Sequence, residues 1–462
     1  RGKVTKEVCS DPQTKILELN SKSGVYPLYL AYSVFQEQNK SVKNKFGEKM
    51  PLSDYGKRKV WDRVVQENIY VVCKTPMAEK ITRRVLAGYN KQLKLNTVYI
   101  DDIISRMKDK KLSEKLIEEL TLPKTYGNRQ KKTPMKFNAI VSNPPYMIKD
   151  GGAGASATPV YNHFVDCAKK LSPGYISIIM PAKWYNDGKG LAKFRTDMLT
   201  DRHIEKLVDF VDEHVCFPGV DVAGGVCYFL WDKNHDGDCQ YSNIFNGQRL
   251  TINRNLAEGE RFIRYVQAID MLDKVKAEKY YSSIVSSRKP FGLATDVTPL
   301  AAGDIILETS QGKGPYDSEL ITVGKEMIYK WKVCISYLTA EHAGQTDNEG
   351  RKRIISSLHI IEPGEICTET YLVVDAFDTE EEAQALRKYL CTRFARFLIS
   401  LLAATQHLSK DKFSYVPVQD FALNDDIDWW QPVNDIDRQL YQKYGFDDND
   451  VHFIEQTIKP ME

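Results

Sequence analysis

The four residues Asn143-Pro144-Pro145-Tyr146 follow directly on the apolar run "FNAIVS" and precede the glycine-rich tract "GGAGASATP", Gly151 to Pro159. Two successive prolines remove two backbone donors and fix φ, so the carbonyl of Pro144 is held as a rigid acceptor. Beside it the Asn143 side chain offers a second acceptor, and two acceptors converging on one point suit a primary amine carrying two hydrogens. Tyr146 adds a flat face on which a planar base can stack, a contact worth roughly 1–3 kcal/mol in single-stranded systems. Asn-Pro and Pro-Pro are also ordinary turn formers, so the tetrapeptide taken alone reads as a turn about as readily.

A group of this kind needs a buried strand end to hold it. Strand-like and helix-like runs alternate through the first half: "TKILEL" before "VYPLYLAYSVFQEQ", "ENIYVVC" before "PMAEKITRRVLAGY", then "LNTVYI" and "FNAIVS". That alternation predicts an α/β fold, a parallel sheet covered by helices, and Pro76 fits the first turn of its helix. Beyond the glycine tract, "VYNHFVDCAKKL" puts Tyr161, Phe164, Val165, Ala168 and Leu171 on one helical stripe, and "GYISIIMP", "IEKLVDFVD" and "GGVCYFLWD" bring the strands to about seven. In an open α/β sheet the ligand crevice lies at the carboxyl ends of the strands, where Asn143 to Tyr146 falls.

At 462 residues the chain exceeds what one core usually serves. The alternation fades near Asn243, which gives the expected layout 1–245 for the first domain, 246–275 for a helical connector, 276–424 for a β-rich second domain and 425–462 for a helical tail. Neither a membrane-spanning run nor a charged-then-apolar leader is visible, so a cytoplasmic address is the default. Arg1 at the start, with a core strand soon after it, suggests a fragment lacking its natural N-terminus. Nine scattered cysteines without a CxxC pair read as reduced packing residues, with no metal site. The net charge of +2 decides nothing, but the clusters "KDKKLSEKL", "NRQKKTPMK", "SSRKP" and "EGRKR" read either as solvated loops or as phosphate contacts.

"IVSNPPY" after a strand resembles the catalytic motif of amino-group methyltransferases, most closely the gamma-class adenine-N6 DNA methyltransferases of restriction–modification systems, the Eco57I-like and type IIG-like methylases with a C-terminal target-recognition domain. The resemblance implies a Rossmann-like class I methyltransferase fold with a mostly seven-stranded sheet, followed by an α+β domain that reads DNA at roughly 276–424, where basic clusters mix with Phe291, Tyr316, Trp331 and Tyr337. It also implies S-adenosylmethionine as cofactor, double-stranded DNA as partner with the target base flipped out, and a restriction or helicase module either upstream or on a separate subunit. Asn143, Pro144, Pro145 and Tyr146 become the catalytic residues. Phe217, in "VCFPGVDVAGG", matches the aromatic set against the flipped base, with packing inside its hairpin as the alternative.

On the cofactor side, Glu18, Asn20, Ser21, Lys22, Ser23 and Gly24 in "ILELNSKSG" occupy the first motif, with Glu18 as its acid and Gly24 as its last glycine. Lys22 departs from the pattern, where it either obstructs the ligand or pairs with the cofactor's carboxylate. Cys73 and Lys74 stand where the family has an acid for the ribose. After the third strand Asp102 is the expected partner of the cofactor's adenine amine, with Asp101 beside it as the alternative and a helix-capping pair as the structural reading. Two rivals remain: methylation of an RNA base or a protein glutamine, and a degenerate module that grips DNA without transferring methyl.

Overall fold

The runs Ile16–Ser21 (β1) and Ile69–Cys73 (β2) are buried at every residue, as strands covered on both faces require. With Asn96–Tyr99 (β3), Ala139–Ser142 (β4), Tyr175–Pro181 (β5), Ile204–Phe210 (β6), Val226–Asp232 (β7), Cys239–Phe245 (β8) and Gln248–Arg254 (β9) they form one sheet in the order β9-β8-β6-β7-β5-β4-β1-β2-β3. This computed structural model describes residues 3–40, 52–128, 130, 132–148, 157–186, 190–222, 224–259, 261–340, 347, 349–403, 407–421 and 426–461.

Pairing is parallel between β1 and β2, β1 and β4, β2 and β3, β4 and β5, and β6 and β8. Only β7 among the first seven strands runs against its neighbours, antiparallel to both β5 and β6. Chain order reverses at β1 and β4: one half of the sheet grows outward through β2 and β3, the other through β4 and β5. That reversal is the switch point of a doubly wound, Rossmann-like sheet, the place where such folds bind ligands. The helices Val25–Lys40 (α1) and Pro76–Ala87 (α2) cover one face, where Ala31, Val34, Ala78 and Leu86 pack on Ile16, Val71 and Cys73. Pro76 opens α2 as expected, and the Thr75 hydroxyl accepts from Ala78 N at 3.0 Å as its cap. Tyr161–Lys170 (α3) carries the predicted stripe, with Tyr161, Phe164, Val165 and Ala168 buried.

Two strands go beyond the seven expected. β8 and β9 lie in the region where the alternation fades, and Asn246 and Gly247 between them take positive φ of 47° and 74°, the pairing that a tight hairpin turn demands. Asp209 of β6, fully buried, accepts from Tyr241 Oη and Asn243 Nδ2 of β8, both at 3.1 Å, which fixes that added strand.

The described residues fall into two compact units, one within 1–211, 225–244 and 251–260, the other within 212–224, 245–250 and 261–462. The second contains Ile305–Thr309 (β10), Gly312–Tyr316 (β11), Trp331–Ser336 (β12), Leu358–Ile361 (β13), Glu365–Cys367 (β14) and Tyr371–Phe377 (β15), arranged as sheets β11-β10-β14 and β13-β12-β15. After residue 380 the unit contains two helices, Glu380–Cys391 (α4) and Arg393–Ser400 (α5), separated where Thr392 caps α5 through Ala395 N. The tail pair is Val433–Lys443 (α6) and Asp448–Thr457 (α7). From α6, buried Asp437 accepts the backbone N–H groups of Arg393 and Phe394, each at 3.0 Å, and burial pushes its carboxyl up to about 6. Phe291 and Tyr316, expected among the aromatics available to DNA, are instead buried in the core of this unit. Their rings are spent on packing.

Lys332 is also fully buried, and its ammonium shares three hydrogens among the carbonyls of Met327, Ile328, Lys330 and Glu362 at 2.6–3.2 Å. Lys332→Met leaves those buried acceptors without their donor. The expected loss is roughly 1–3 kcal/mol, read as a lower denaturant midpoint with unchanged slope. Among the described residues no helix is long and apolar enough to cross a membrane.

Candidate active site

β1 and β4 run side by side in parallel, with Leu19 opposite Ser142. Two bonds tie their carboxyl ends together: the Ser142 hydroxyl donates to the Leu19 carbonyl, and Asn20 Nδ2 donates to the Asn143 carbonyl at 2.8 Å. Asn20 reaches it from a positive φ of 87°, a conformation asparagine tolerates better than most residues. The backbone entering the Asn-Pro-Pro-Tyr turn is thus held by the neighbouring strand. Pro144 is buried, and Asn143, Pro145 and Tyr146 are half-buried. Among the described residues nothing hydrogen-bonds the Asn143 side chain or the Pro144 carbonyl. Past the turn, Val160 N donates to the Tyr146 carbonyl at 3.2 Å, and Met147–Ile148 pairs antiparallel with Thr158–Pro159. From 151 to 156 the glycine-rich tract lies outside the described residues.

At the facing end of β1, Glu18 is 2% exposed and its Oε2 has no hydrogen-bond partner. Burial pushes its carboxyl up to about 8, although the Ser21 hydroxyl and the Lys22 ammonium pull the other way. The hydroxyls of Ser21 and Thr82 lie 3.1 Å apart, which joins the loop to α2. Lys22 and Ser23 are exposed. Gly24 has φ +74°, and a Cβ there would stand 2.9 Å from Thr82 Cα. Its function is close approach of loop to helix. Gly24→Ala combines a strained backbone with that clash, so a loss of about 1–3 kcal/mol is expected, visible as a lowered Tm.

At the end of β2, Cys73 belongs to the buried cluster under α1 and α2 rather than to the strand-end surface, and burial pushes its thiol up to about 12. It offers no charge. Lys74, the next residue, is exposed, and its backbone N–H donates to the Ser21 carbonyl at 2.8 Å. Beyond β3, Asp101 Oδ1 accepts from Tyr99 Oη at 2.7 Å and from Asp102 N at 3.1 Å. Asp102 has left-handed φ of 49° at the N-cap of the short helix Ile103–Lys108, yet makes no side-chain cap bond. Among the described residues its exposed carboxylate makes no hydrogen bond or ion pair, whereas Asp101 is partly engaged.

Phe217 lies in the loop 212–224, which belongs to the second unit, and is half-buried. That loop is closed on itself: Phe217 N donates to the Glu213 carbonyl at 2.8 Å, Val222 N to Glu213 Oε1 at 2.9 Å, and His214 stands 2.9 Å from Asp212 and 3.2 Å from Asp221. The carboxylates and imidazole grouped there serve as clasps. Glu18, the loop 20–24, Lys74 and the turn 143–146 therefore lie at or near the ends of adjacent strands, and Asp102 follows β3, the strand beyond β2. Sequence reasoning missed the tie from Asn20 to Asn143 and the contact of Thr82 with the loop, since both join residues far apart in the chain.

Residues 67–217 match the family model described as Eco57I restriction-modification methylase. An uncharacterized adenine-specific methylase of Mycoplasma pneumoniae (strain ATCC 29342 / M129 / Subtype 1) is 35% identical over 115 residues, 24% of this chain and 27% of that protein. The match thus spans about a quarter of the length of this curated relative. Among solved structures, a nuclease-deletion mutant of the type ISP restriction-modification enzyme LlaGI in complex with a DNA substrate mimic superposes with TM-score 0.46 and 9% identity, over 89% of this chain and 44% of that one. The type IIL restriction-modification enzyme MmeI in complex with DNA does so with TM-score 0.44 and 9% identity, over 98% and 75%. Both likenesses are remote. In its sheet order, in the Asn-Pro-Pro-Tyr turn at the end of β4 and in the family match across that turn, the segment 67–217 is similar to Eco57I restriction-modification methylases.

Proposed function

We propose that this chain transfers a methyl group from S-adenosylmethionine to N6 of an adenine turned out of double-stranded DNA, as the modifying activity of a restriction–modification system in the cytoplasm. The observation that carries the proposal is the pair of uncommitted acceptors, the Asn143 amide and the Pro144 carbonyl, at the switch point of the sheet.

Adenine N6 is a weak nucleophile because its lone pair is delocalised into the ring. Accepting its two N–H bonds on Asn143 and Pro144 draws the nitrogen toward tetrahedral geometry and localises that pair. The cofactor, when bound, supplies the methyl group as an electrophile on its sulfonium. Positioning and electrostatics carry most of the rate. The attacked nitrogen becomes acidic only once methylated, so its proton leaves to solvent along the Asn143 contact and no strong base is required. Turning the base out of the duplex costs a few kcal/mol, offset in part by stacking on Tyr146.

The residues at the strand ends fit the cofactor in part. The orphaned oxygen of Glu18 fits an ammonium group, and the free carboxylate of Asp102 fits the amine of an adenine ring. Glu18, Asn20 to Gly24 and Asp102 would line that ligand, with Asp101 as the alternative to Asp102; the ribose finds no acid at Cys73. Residues 276–424 would hold the DNA target, and a restriction or helicase function would lie elsewhere on a longer chain or on a separate subunit.

The experiment is methyl incorporation from S-adenosylmethionine into duplex DNA, RNA and a glutamine-bearing release factor, side by side. Incorporation into adenine of duplex DNA is expected; labelling of RNA or protein alone would replace this reading. Failure of calorimetry to detect cofactor binding would favour a degenerate module.

A further inference from the structure

Two cations stand unpaired at the mouth of the same crevice. Ser21 lies opposite Cys73 in the β1–β2 register, and the Lys74 N–H bonds the Ser21 carbonyl, so Lys22 and Lys74 leave adjacent strand ends. Both side chains are exposed, and among the described residues neither makes a hydrogen bond or an ion pair. The Lys74 ammonium is close enough to act on Lys22: burial first and Lys74 second hold Lys22 below the usual lysine range. Among the described residues no acid makes an ion pair with either ammonium, and the pull of buried Glu18 on Lys22 is weaker than the push of Lys74. Cys73 is a buried thiol, and Glu18, the one acid on β1, is buried with Oε2 unpartnered.

Like charges held side by side without an anion favour a ligand that brings one. An orphaned buried acid favours a ligand that brings a cation. One small group satisfies both, a zwitterionic amino acid end. We propose that Lys22 and Lys74 form a carboxylate clamp that holds the methyl donor by the α-carboxylate of its amino-acid end and makes donor binding depend on that group. The clamp rests on the donor site read above and goes beyond it. It gives a role to the lysine in the loop 20–24, where the family pattern has a glycine, and it assigns Lys74 to a ligand group other than the ribose. A donor lacking the carboxylate meets two cations with its own positive charges, so it is repelled as well as unheld.

The test is calorimetric titration of the intact protein with S-adenosylhomocysteine and with its decarboxylated analogue, which keeps the adenosine, the sulfur and the amine. The wild-type protein is expected to prefer the carboxylate-bearing ligand by roughly 10–100-fold, the worth of a hydrogen bond to a charged group. In the Lys22→Met/Lys74→Met double variant that preference disappears, and in Lys22→Arg/Lys74→Arg it is largely restored. Thermal unfolding of each variant separates loss of the clamp from loss of the fold. Equal binding of the two ligands by wild type, or a preference that survives in the double methionine variant, overturns the clamp and leaves the donor site standing. If neither ligand binds wild type, the clamp and the donor site fall together.

Discussion

Asn143→Ala lowers the rate of methyl transfer by roughly 10²–10³-fold, the usual cost of removing one preorganised group that acts on the transition state, while donor affinity is unchanged. The split follows from position. Asn143 follows β4 and its backbone carbonyl is held by Asn20, so the turn stays in place when the amide is removed. The side chain itself bonds no described residue, so alanine removes no structural contact. A rate loss accompanied by an equal loss of donor affinity or of Tm would place the amide in the scaffold instead. Asn143→Asp keeps an acceptor at the same site and is expected to fall between wild type and alanine.

Glu18→Gln is the second large effect, and it runs in two directions. In the donor-free protein the Glu18 carboxyl titrates near 8 rather than near the ordinary 4.5, with burial as the main cause. A folded-state value raised above the unfolded one means that the stabilising contribution is complete below about 4.5 and is lost as pH rises through about 8. Glutamine has no such loss. The variant is therefore expected to be more stable than wild type from neutral to alkaline pH and equal to it near pH 4, as read by urea midpoints across that range. Donor binding moves the other way, because a bound ammonium needs the carboxylate. Wild-type affinity rises with pH up to about 8 as Glu18 gives up its proton, whereas the variant is flat with pH and weaker by roughly 10–100-fold. A variant that gains stability and keeps its donor affinity would remove Glu18 from the site.

Much of the first unit was legible because its signals are local. β1, β2 and β4 are apolar runs closed by turn residues, Pro76 marks a helix start, and the Asn-Pro-Pro-Tyr turn announces itself through residue types that rigidify a backbone. β9 was illegible for a physical reason: exposed at Gln248, Arg249, Thr251 and Asn253, it carries almost no hydrophobic signal. The Asn246-Gly247 pair was the cue available for it, since few other sequences accept two positive φ values in succession. The break between α4 and α5 is set partly by Asp437, whose carboxylate caps α5 from a distant helix, and no local pattern can show that. Cys73, which stands where the family has its ribose acid, is a packing residue for a related reason. The residue number matched the end of a ligand-binding strand, but side chains alternate along a strand, and burial under α1 and α2 decides that this one packs while Lys74 meets solvent.

The central claim is that the Asn143 and Pro144 acceptors grip the exocyclic amine of an adenine in DNA. It is tested most directly by sequencing plasmid DNA co-expressed with the full-length protein for N6-methyladenine, in parallel with Asn143→Ala. The account predicts methylation confined to one sequence context in the wild-type culture and none above background with the variant. Equal methylation by both proteins, or unmodified DNA in the wild-type culture, would contradict it.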